Sequence, residues 1–250
     1  MKERLEFLIA APTSGSGKTT VALGLMARFA REGKRVQPFK CGPDYIDTKF
    51  HEVATGRPSV NLDLYMMTEE QVRATYAHYA EDADVCIVEG MMGMFDGYDR
   101  ERGSCADIAR VLGLPVVLVV QARSAAFSMA PLLQGFVGFD KRVQVAGVIF
   151  NQVGSERHAQ MLREVCAEVG VPCLGCLPRQ KDLEQGSRYL GLDFSQKVQL
   201  EKFVELVKRV EMENEEWRMK NEEWRMENEE WRMENEEWRM KNEEWRMENE

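Results

Sequence analysis

Ala11-Pro12-Thr13-Ser14-Gly15-Ser16-Gly17-Lys18-Thr19-Thr20 is the stretch from which the rest of this 250-residue chain is read. An apolar run, Leu5 to Ala10, precedes it, and Val21, Leu23, Leu25, Met26 and Phe29 follow with helical periodicity. Strand, glycine-rich turn and helix, in that order, are the setting of a phosphate-binding P-loop. Glycines let backbone N–H groups turn inward around phosphate oxygens, and the helix N-terminus adds positive potential. Ser14, Gly15, Ser16, Gly17, Lys18, Thr19 and Thr20 are therefore nucleotide-binding candidates. Lys18 would bring a mobile charge to the β- and γ-phosphates, and the Thr19 hydroxyl would face Mg²⁺. Pro12 departs from the usual motif, which has Gly there.

Downstream, strands and helices alternate. Arg35 to Lys40 reads as a second strand, and the Gly-Pro content of Cys41-Gly42-Pro43-Asp44-Tyr45-Ile46-Asp47 reads as a loop. Lys40 falls at the C-terminal end of its strand, where open α/β sheets place their ligands. With Asp44 and Asp47 it forms a cation and carboxylate set suited to phosphate and Mg²⁺; a solvated loop with incidental charges is the other reading. His51 to Asp63 shows little periodicity and reads as a loop on the substrate side. Thr68 to Gln71 has the pattern of a capping box opening a helix that runs to about Tyr79. Asp84 to Gly90 is a buried strand ending in Glu89, placed to meet a metal directly or through water, and the glycine-bearing loop Met91 to Gly97 follows.

Further on, helices are expected over about 106–112, 125–137 and 155–169, and strands over 115–120, 143–151 and 172–177. The Val116 to Val120 run is continuously apolar, as in a strand covered on both faces. The alternation predicts an α/β fold with a doubly wound, mostly parallel sheet over residues 1–194, then an amphipathic helix over 195–211.

Residues 212–250 are a low-complexity tail repeating Asn-Glu-Glu-Trp-Arg-Met followed by Glu or Lys. Between 211 and 250 stand 16 Glu against 5 Arg and 2 Lys, which is the whole of the chain's net charge of −9. The neutral remainder lacks the basic stripe of a nucleic-acid binder. No apolar run is long enough to span a membrane, and the N-terminus reads as having no signal peptide. The six scattered cysteines read as free thiols of a cytoplasmic protein, with Cys173 and Cys176 serving strand packing.

These stretches together resemble the ATP-dependent synthetase domain of the cobyrinate a,c-diamide synthase family. The likeness runs over residues 4–210 and is carried by the P-loop, Phe39 to Asp47, Asn61-Leu62-Asp63, Val88 to Gly93, Phe95-Asp96-Gly97 and Arg188 to Leu192. Pro12 is normal in that family; Thr48, Gln121 and Tyr189 depart from it, standing for a usual Pro, Asp and His. The resemblance implies ATP-dependent amidation of two acetate side chains of a corrin through an acyl phosphate. It implies catalytic roles for Lys18, Lys40, Asp44 and Asp96, Mg²⁺ held by Thr19, Asp47 and Glu89, and adenine contact by Asn151. The family's glutaminase domain is not found in these 250 residues, so ammonia, supplied where needed by a separate glutaminase, is the expected nitrogen donor. A nickel-sirohydrochlorin substrate would use similar motifs, and a homodimer is left open. Two other readings stand beside this one. One is a partitioning-type P-loop ATPase, which carries a signature Lys where this chain has Thr13; the other is a truncated, inactive product.

In the tail, Trp and Met alternate by two and five positions, so they share neither a helix face nor a strand face. The repeat is expected to be a solvated helix or disordered. Deleting Glu213 to Glu250 should change the stability of the remainder by no more than about 0.5 kcal/mol in denaturant unfolding. All five tryptophans lie in the repeat, so emission that shifts with global unfolding would contradict this.

Overall fold

A computed structural model describes residues 4–180 and 195–212, with Glu223, Met226, Met233 and Met240 beyond them. Seven strands form one sheet in the order β3-β2-β4-β1-β5-β6-β7. They are β1 (Leu5–Ala10), β2 (Val36–Cys41), β3 (Val60–Leu62), β4 (Val85–Glu89), β5 (Val116–Gln121), β6 (Val145–Val153) and β7 (Cys173–Pro178). Every pairing is parallel. The helices are α1 (Lys18–Arg31), α2 (Asp47–Thr55), α3 (Glu69–Ala80), α4 (Cys105–Leu112), α5 (Met129–Gly138), α6 (Glu156–Val169) and α7 (Ser195–Val207).

Parallel strands need helical crossovers, which cover both faces of the sheet. Phe7, Leu8, Ile9, Ala10 and Val116 to Val119 are accordingly sealed from solvent along their whole length. Three helices start at capping side chains. Thr68 and Gln71 form the reciprocal capping box of α3. Ser104 accepts from Asp107 N (3.2 Å), and Ser155 from His158 N (3.1 Å). The described chain forms two compact units, Met1–Met212 and Glu213–Glu250. Helix α7, set apart in the sequence reading as residues 195–211, belongs to the first. It crosses α1 at Gly24, where a Cβ would stand 2.7 Å from Phe203 O. Arg28 Nη1 donates to Val210 O at 2.8 Å and ties the same two segments. In the second unit the described Met226, Met233 and Met240 are helical and exposed. The tryptophans and the Arg188 to Leu192 stretch lie outside the described residues.

Two expectations need correction. The aperiodic segment from His51 to Asp63 holds most of helix α2 and strand β3. Helix α2 buries Phe50, His51 and Ala54; because one of these is a histidine, an apolar count misses its inward face. The helix expected from Ala125 starts at Met129, after a turn in which Ser124 has φ +60°. Pro131 then falls in the first turn of α5, where its missing N–H costs nothing. The six cysteines are free thiols, and the Sγ atoms of Cys173 and Cys176 lie 3.9 Å apart on β7.

An ionic clamp joins α4 to the end of α5. Buried Asp140 accepts from Arg110 Nη1 (2.6 Å), Arg142 Nε (2.9 Å) and Arg142 N (3.0 Å). Burial works to raise the Asp140 carboxyl, but the bonds from Arg142 and then Arg110 outweigh it and hold the group down at about 2. A depressed carboxyl contributes stability that is present above its unfolded value and lost as pH falls through the folded one. Asp140→Asn should cost about 1–3 kcal/mol at neutral pH. The difference from the parent should shrink as pH falls below about 4, the ordinary carboxylate range, in urea titrations at several pH values. A cost independent of pH would rule out this ionic origin.

Candidate functional site

The functional side chains gather at the C-terminal ends of β1, β2, β3 and β4. Register places them: Lys40 pairs with both Asn61 and Glu89, and Glu89 with Ile9. Residues side by side in adjacent strands share a face of the sheet, so Asn61, Lys40 and Glu89 stand in a row under the P-loop.

The P-loop turns through Gly15 (φ +78°) and Gly17 (φ +100°) before entering α1. Ser14 and Gly15 are exposed, and Thr20 is half-buried behind them. Ser16 is buried, its hydroxyl donating to Thr13 O at 2.8 Å. Asn151, on β6, reaches the loop from the other side: its Nδ2 donates to Ser16 O (3.0 Å) and its Oδ1 accepts from Gln152 N (2.9 Å). Both ends of the amide expected to meet adenine are engaged within the protein in this state. Lys18 is buried and donates to Met92 O at 2.5 Å. Burial lowers its pKa despite the nearby Cys105 and Glu89.

At the second residue of α1, the Thr19 hydroxyl donates to Glu89 Oε1 at 2.6 Å. The other oxygen of Glu89, Oε2, lies 2.6 Å from His51 Nε2, and His51 Nδ1 lies 2.9 Å from the Ser59 hydroxyl. Glu89 and His51 are 1% and 0% exposed, so the contact between them is sealed, while Thr19 and Ser59 at its two ends are half-buried. Lys40, also buried, donates to Gly90 O at 3.1 Å and faces Asp47 at 3.5 Å and Asp44 at 3.8 Å. Asp44 Oδ1 accepts from the N–H groups of Ile46 and Asp47 (2.8 and 3.0 Å) and thereby holds the start of α2. Asp96 sits apart: it is exposed and accepts from Gly93 N at 3.0 Å within its own loop. Met94 N donates to Ala11 O at 2.8 Å, which fastens that loop to the strand leading into the P-loop.

The electrostatics are those of a crowded carboxylate pair. Burial, and next the charge of Glu89, push Asp47 up to about 6. Burial alone would raise Glu89 too, but the His51 hydrogen bond and the Lys40 charge outweigh it and hold it low. Lys40 is held above its ordinary value, the charges of Glu89 and Asp47 overcoming a burial that would lower it. Two crowded carboxylates, Glu89 buried and Asp47 half-buried, repel each other beside a threonine hydroxyl and form an all-oxygen donor set that a divalent cation would relieve. Among the described residues no three His, Cys, Asp or Glu side chains close a cage alone. An ion here would take further ligands from phosphate oxygens and water, as Mg²⁺ commonly does.

The sequence reading named Lys18, Thr19, Lys40, Asp44, Asp47 and Glu89, and the fold brings these together. It missed His51. The available signal was its place four residues after Asp47, one helical turn on, which puts both on one face of α2.

A glycine-turned loop running from a parallel strand into a helix, with a lysine, a threonine and a strand-end carboxylate facing it, defines a P-loop nucleotide-binding α/β domain. Residues 7–190 match the CobQ/CobB/MinD/ParA nucleotide binding domain, and the chain belongs to that family. It is 48% identical over 190 residues to a hydrogenobyrinate a,c-diamide synthase of Mycobacterium tuberculosis, covering 74% of this chain and 42% of the relative. It is 47% identical over 190 residues to a cobyrinate a,c-diamide synthase of Gloeobacter violaceus, covering 75% and 42%. The chain thus spans less than half the length of these relatives. The structure of chloroplast FtsY from Physcomitrella patens shares the fold, with a TM-score of 0.51 at 17% identity over 81% of this chain and 66% of that one. No described helix is long and apolar enough to cross a membrane.

A Cβ at Gly17 would stand 2.2 Å from Asn151 Nδ2, and its φ of +100° strains any L side chain. Gly17→Ala should therefore part the P-loop from β6. Nucleotide affinity measured by calorimetry should fall at least tenfold, about 1.4 kcal/mol, while Gly33→Ala, at a turn with open space around it, should leave affinity unchanged.

Proposed function

We propose that this domain binds Mg·ATP and uses it to activate acetate carboxylates of a corrin, cobyrinate or hydrogenobyrinate, for amidation. The observation that carries the reading is Lys40, a second buried cation on β2, across β4 from the strand that leads into the P-loop, held by Asp44 and Asp47 beside Glu89. A partitioning-type ATPase works with nucleotide alone, whereas phosphoryl transfer to a second substrate gains from a cation on the acceptor side. The 47–48% identity to the two diamide synthases supports the same choice, as does Thr13 where the partitioning class has its signature lysine.

A free carboxylate is a poor electrophile. In the proposed reaction a carboxylate oxygen of the corrin attacks the γ-phosphorus, and the bond to the β–γ bridging oxygen breaks, releasing ADP. Ammonia then adds to the acyl carbonyl, inorganic phosphate leaves with the C–O bond pair, and the nitrogen loses a proton. Lys18 would leave Met92 O to follow the β- and γ-phosphates. Lys40 would stabilise the charge that builds on the phosphoryl oxygens during transfer. Thr19, Asp47 and Glu89 would hold Mg²⁺, which when bound neutralises phosphate charge. Asp44 would keep α2 and its Asp47 in place. Asp96, exposed beside the P-loop, would meet the substrate.

Lys18→Ala should abolish ATP binding in calorimetry. Lys40→Ala should keep ATP binding and lower turnover by about 10²–10³-fold, as for removal of one oxyanion donor. The acyl-activating residues proposed above all lie in the 250-residue chain, so ammonium should serve as nitrogen donor in an assay with ATP and either corrin. Unchanged ATP affinity in Lys18→Ala would sink the P-loop assignment. Turnover of nickel-sirohydrochlorin and of neither corrin would move the substrate to the other tetrapyrrole.

A further inference from the structure

Glu89 is a strand-end side chain with three rotatable bonds, yet neither of its oxygens is left to turn. Thr19 fixes Oε1 and His51 fixes Oε2, each at 2.6 Å. An ionised carboxylate only accepts hydrogen bonds, so the contact assigns the proton to His51 Nε2. The other ring nitrogen, Nδ1, is hydrogen-bonded to the Ser59 hydroxyl, 2.9 Å away. Ser59 stands immediately before β3 and His51 in the middle of α2, so the imidazole is a strut between two elements, with its free end on Glu89. Asp47 opens the same helix four residues earlier. Helix α2 therefore presents one carboxylate to the Mg²⁺ site directly and orients the other through its histidine.

We infer that His51 is the positioning residue of this site, fixing the rotamer of Glu89 so that Glu89 and Asp47 converge on one cation. The inference rests on the Mg·ATP reading above. A histidine that merely satisfied a buried carboxylate would affect folding alone. A positioning histidine sets metal affinity separately from nucleotide affinity, because Lys18 and the P-loop amides bind phosphate without it. Groups that orient metal ligands typically change metal affinity by about 10–100-fold.

The test uses the full chain and two substitutions. Gln at 51 offers an N–H near the place of Nε2; Leu has similar bulk and no donor. ATP affinity is measured in EDTA and across a Mg²⁺ titration, and Mn²⁺ is followed in the nucleotide complex by its electron paramagnetic resonance signal. His51→Leu should raise the apparent Mg²⁺ and Mn²⁺ dissociation constants about 10–100-fold and leave ATP affinity in EDTA unchanged. His51→Gln should recover most of that loss. Should His51→Leu fail to fold, Ser59→Ala, which removes only the strut's anchor, should weaken Mn²⁺ in the same direction, again with ATP affinity in EDTA intact. A folded His51→Leu or Ser59→Ala with parental metal affinity would overturn the inference, as would equal losses with and without metal. Failure of the unsubstituted chain to bind Mg·ATP would instead bring down the functional reading on which it rests.

Discussion

The hydrogen bond from the Thr19 hydroxyl to Glu89 Oε1, 2.6 Å long, is the contact on which the other parts of the site depend. Glu89 is an anion at the end of an apolar strand and is almost completely buried. Such a group is tolerable only with its oxygens partnered. That requirement draws in α1 through Thr19, α2 through His51, and β2 through the charge of Lys40. The P-loop is thus held to the sheet by more than chain connectivity. The first residues of α1 are bound to the neighbouring strand by one short hydrogen bond, and the loop before them to β6 by the Asn151 amide.

The sheet order makes this economical. Strand β4 lies between β1, which leads into the P-loop, and β2, which carries Lys40. One carboxylate at the end of β4 can therefore touch the loop on one side and the lysine's surroundings on the other. The β4–α4 loop serves the same centre from above: Met92 O accepts from Lys18, and Met94 N donates to Ala11 O. Lys40 at the end of β2 pairs with Glu89 at the end of β4, and the parallel register makes the two share a face.

The sequence showed this centre well where chemistry and periodicity agree. The P-loop, the continuous apolar strand β5 and the Thr68 capping box are local signals, and the fold has each in the expected place. It hid the centre where they disagree. Histidine is polar by composition, but His51 is buried because a carboxylate from a strand 38 residues away pairs with it, and nothing in the local pattern announces that partner. Helix α2 and strand β3 were lost to the reading for the same reason, since a nine-residue helix with a histidine on its inner face has too few apolar positions to show a period. Asn151 illustrates the opposite difficulty. Its place on a strand was legible, though β6 continues two residues past it to Val153, but its Nδ2 bond to a P-loop carbonyl 135 positions earlier is purely tertiary.

Charge balance gives the last constraint on what can bind here. Lys18 and Lys40 face Asp44, Asp47 and Glu89, so with every carboxylate ionised the cluster is negative before any ligand arrives. A triphosphate entering alone would add like charge beside Glu89, which is buried and cannot move toward water. Interactions at short range in such a low-dielectric site are poorly screened. The lift of Asp47 to about 6, caused first by its burial and next by the charge of Glu89, already shows the cost of a second carboxylate there. Anion binding is then favourable only if positive charge comes with the anion, and two crowded carboxylates, a hydroxyl and phosphate oxygens are hard oxygen donors that suit a divalent ion. The surplus of carboxylate over lysine thus fits the site to a metal–nucleotide complex better than to a bare phosphate.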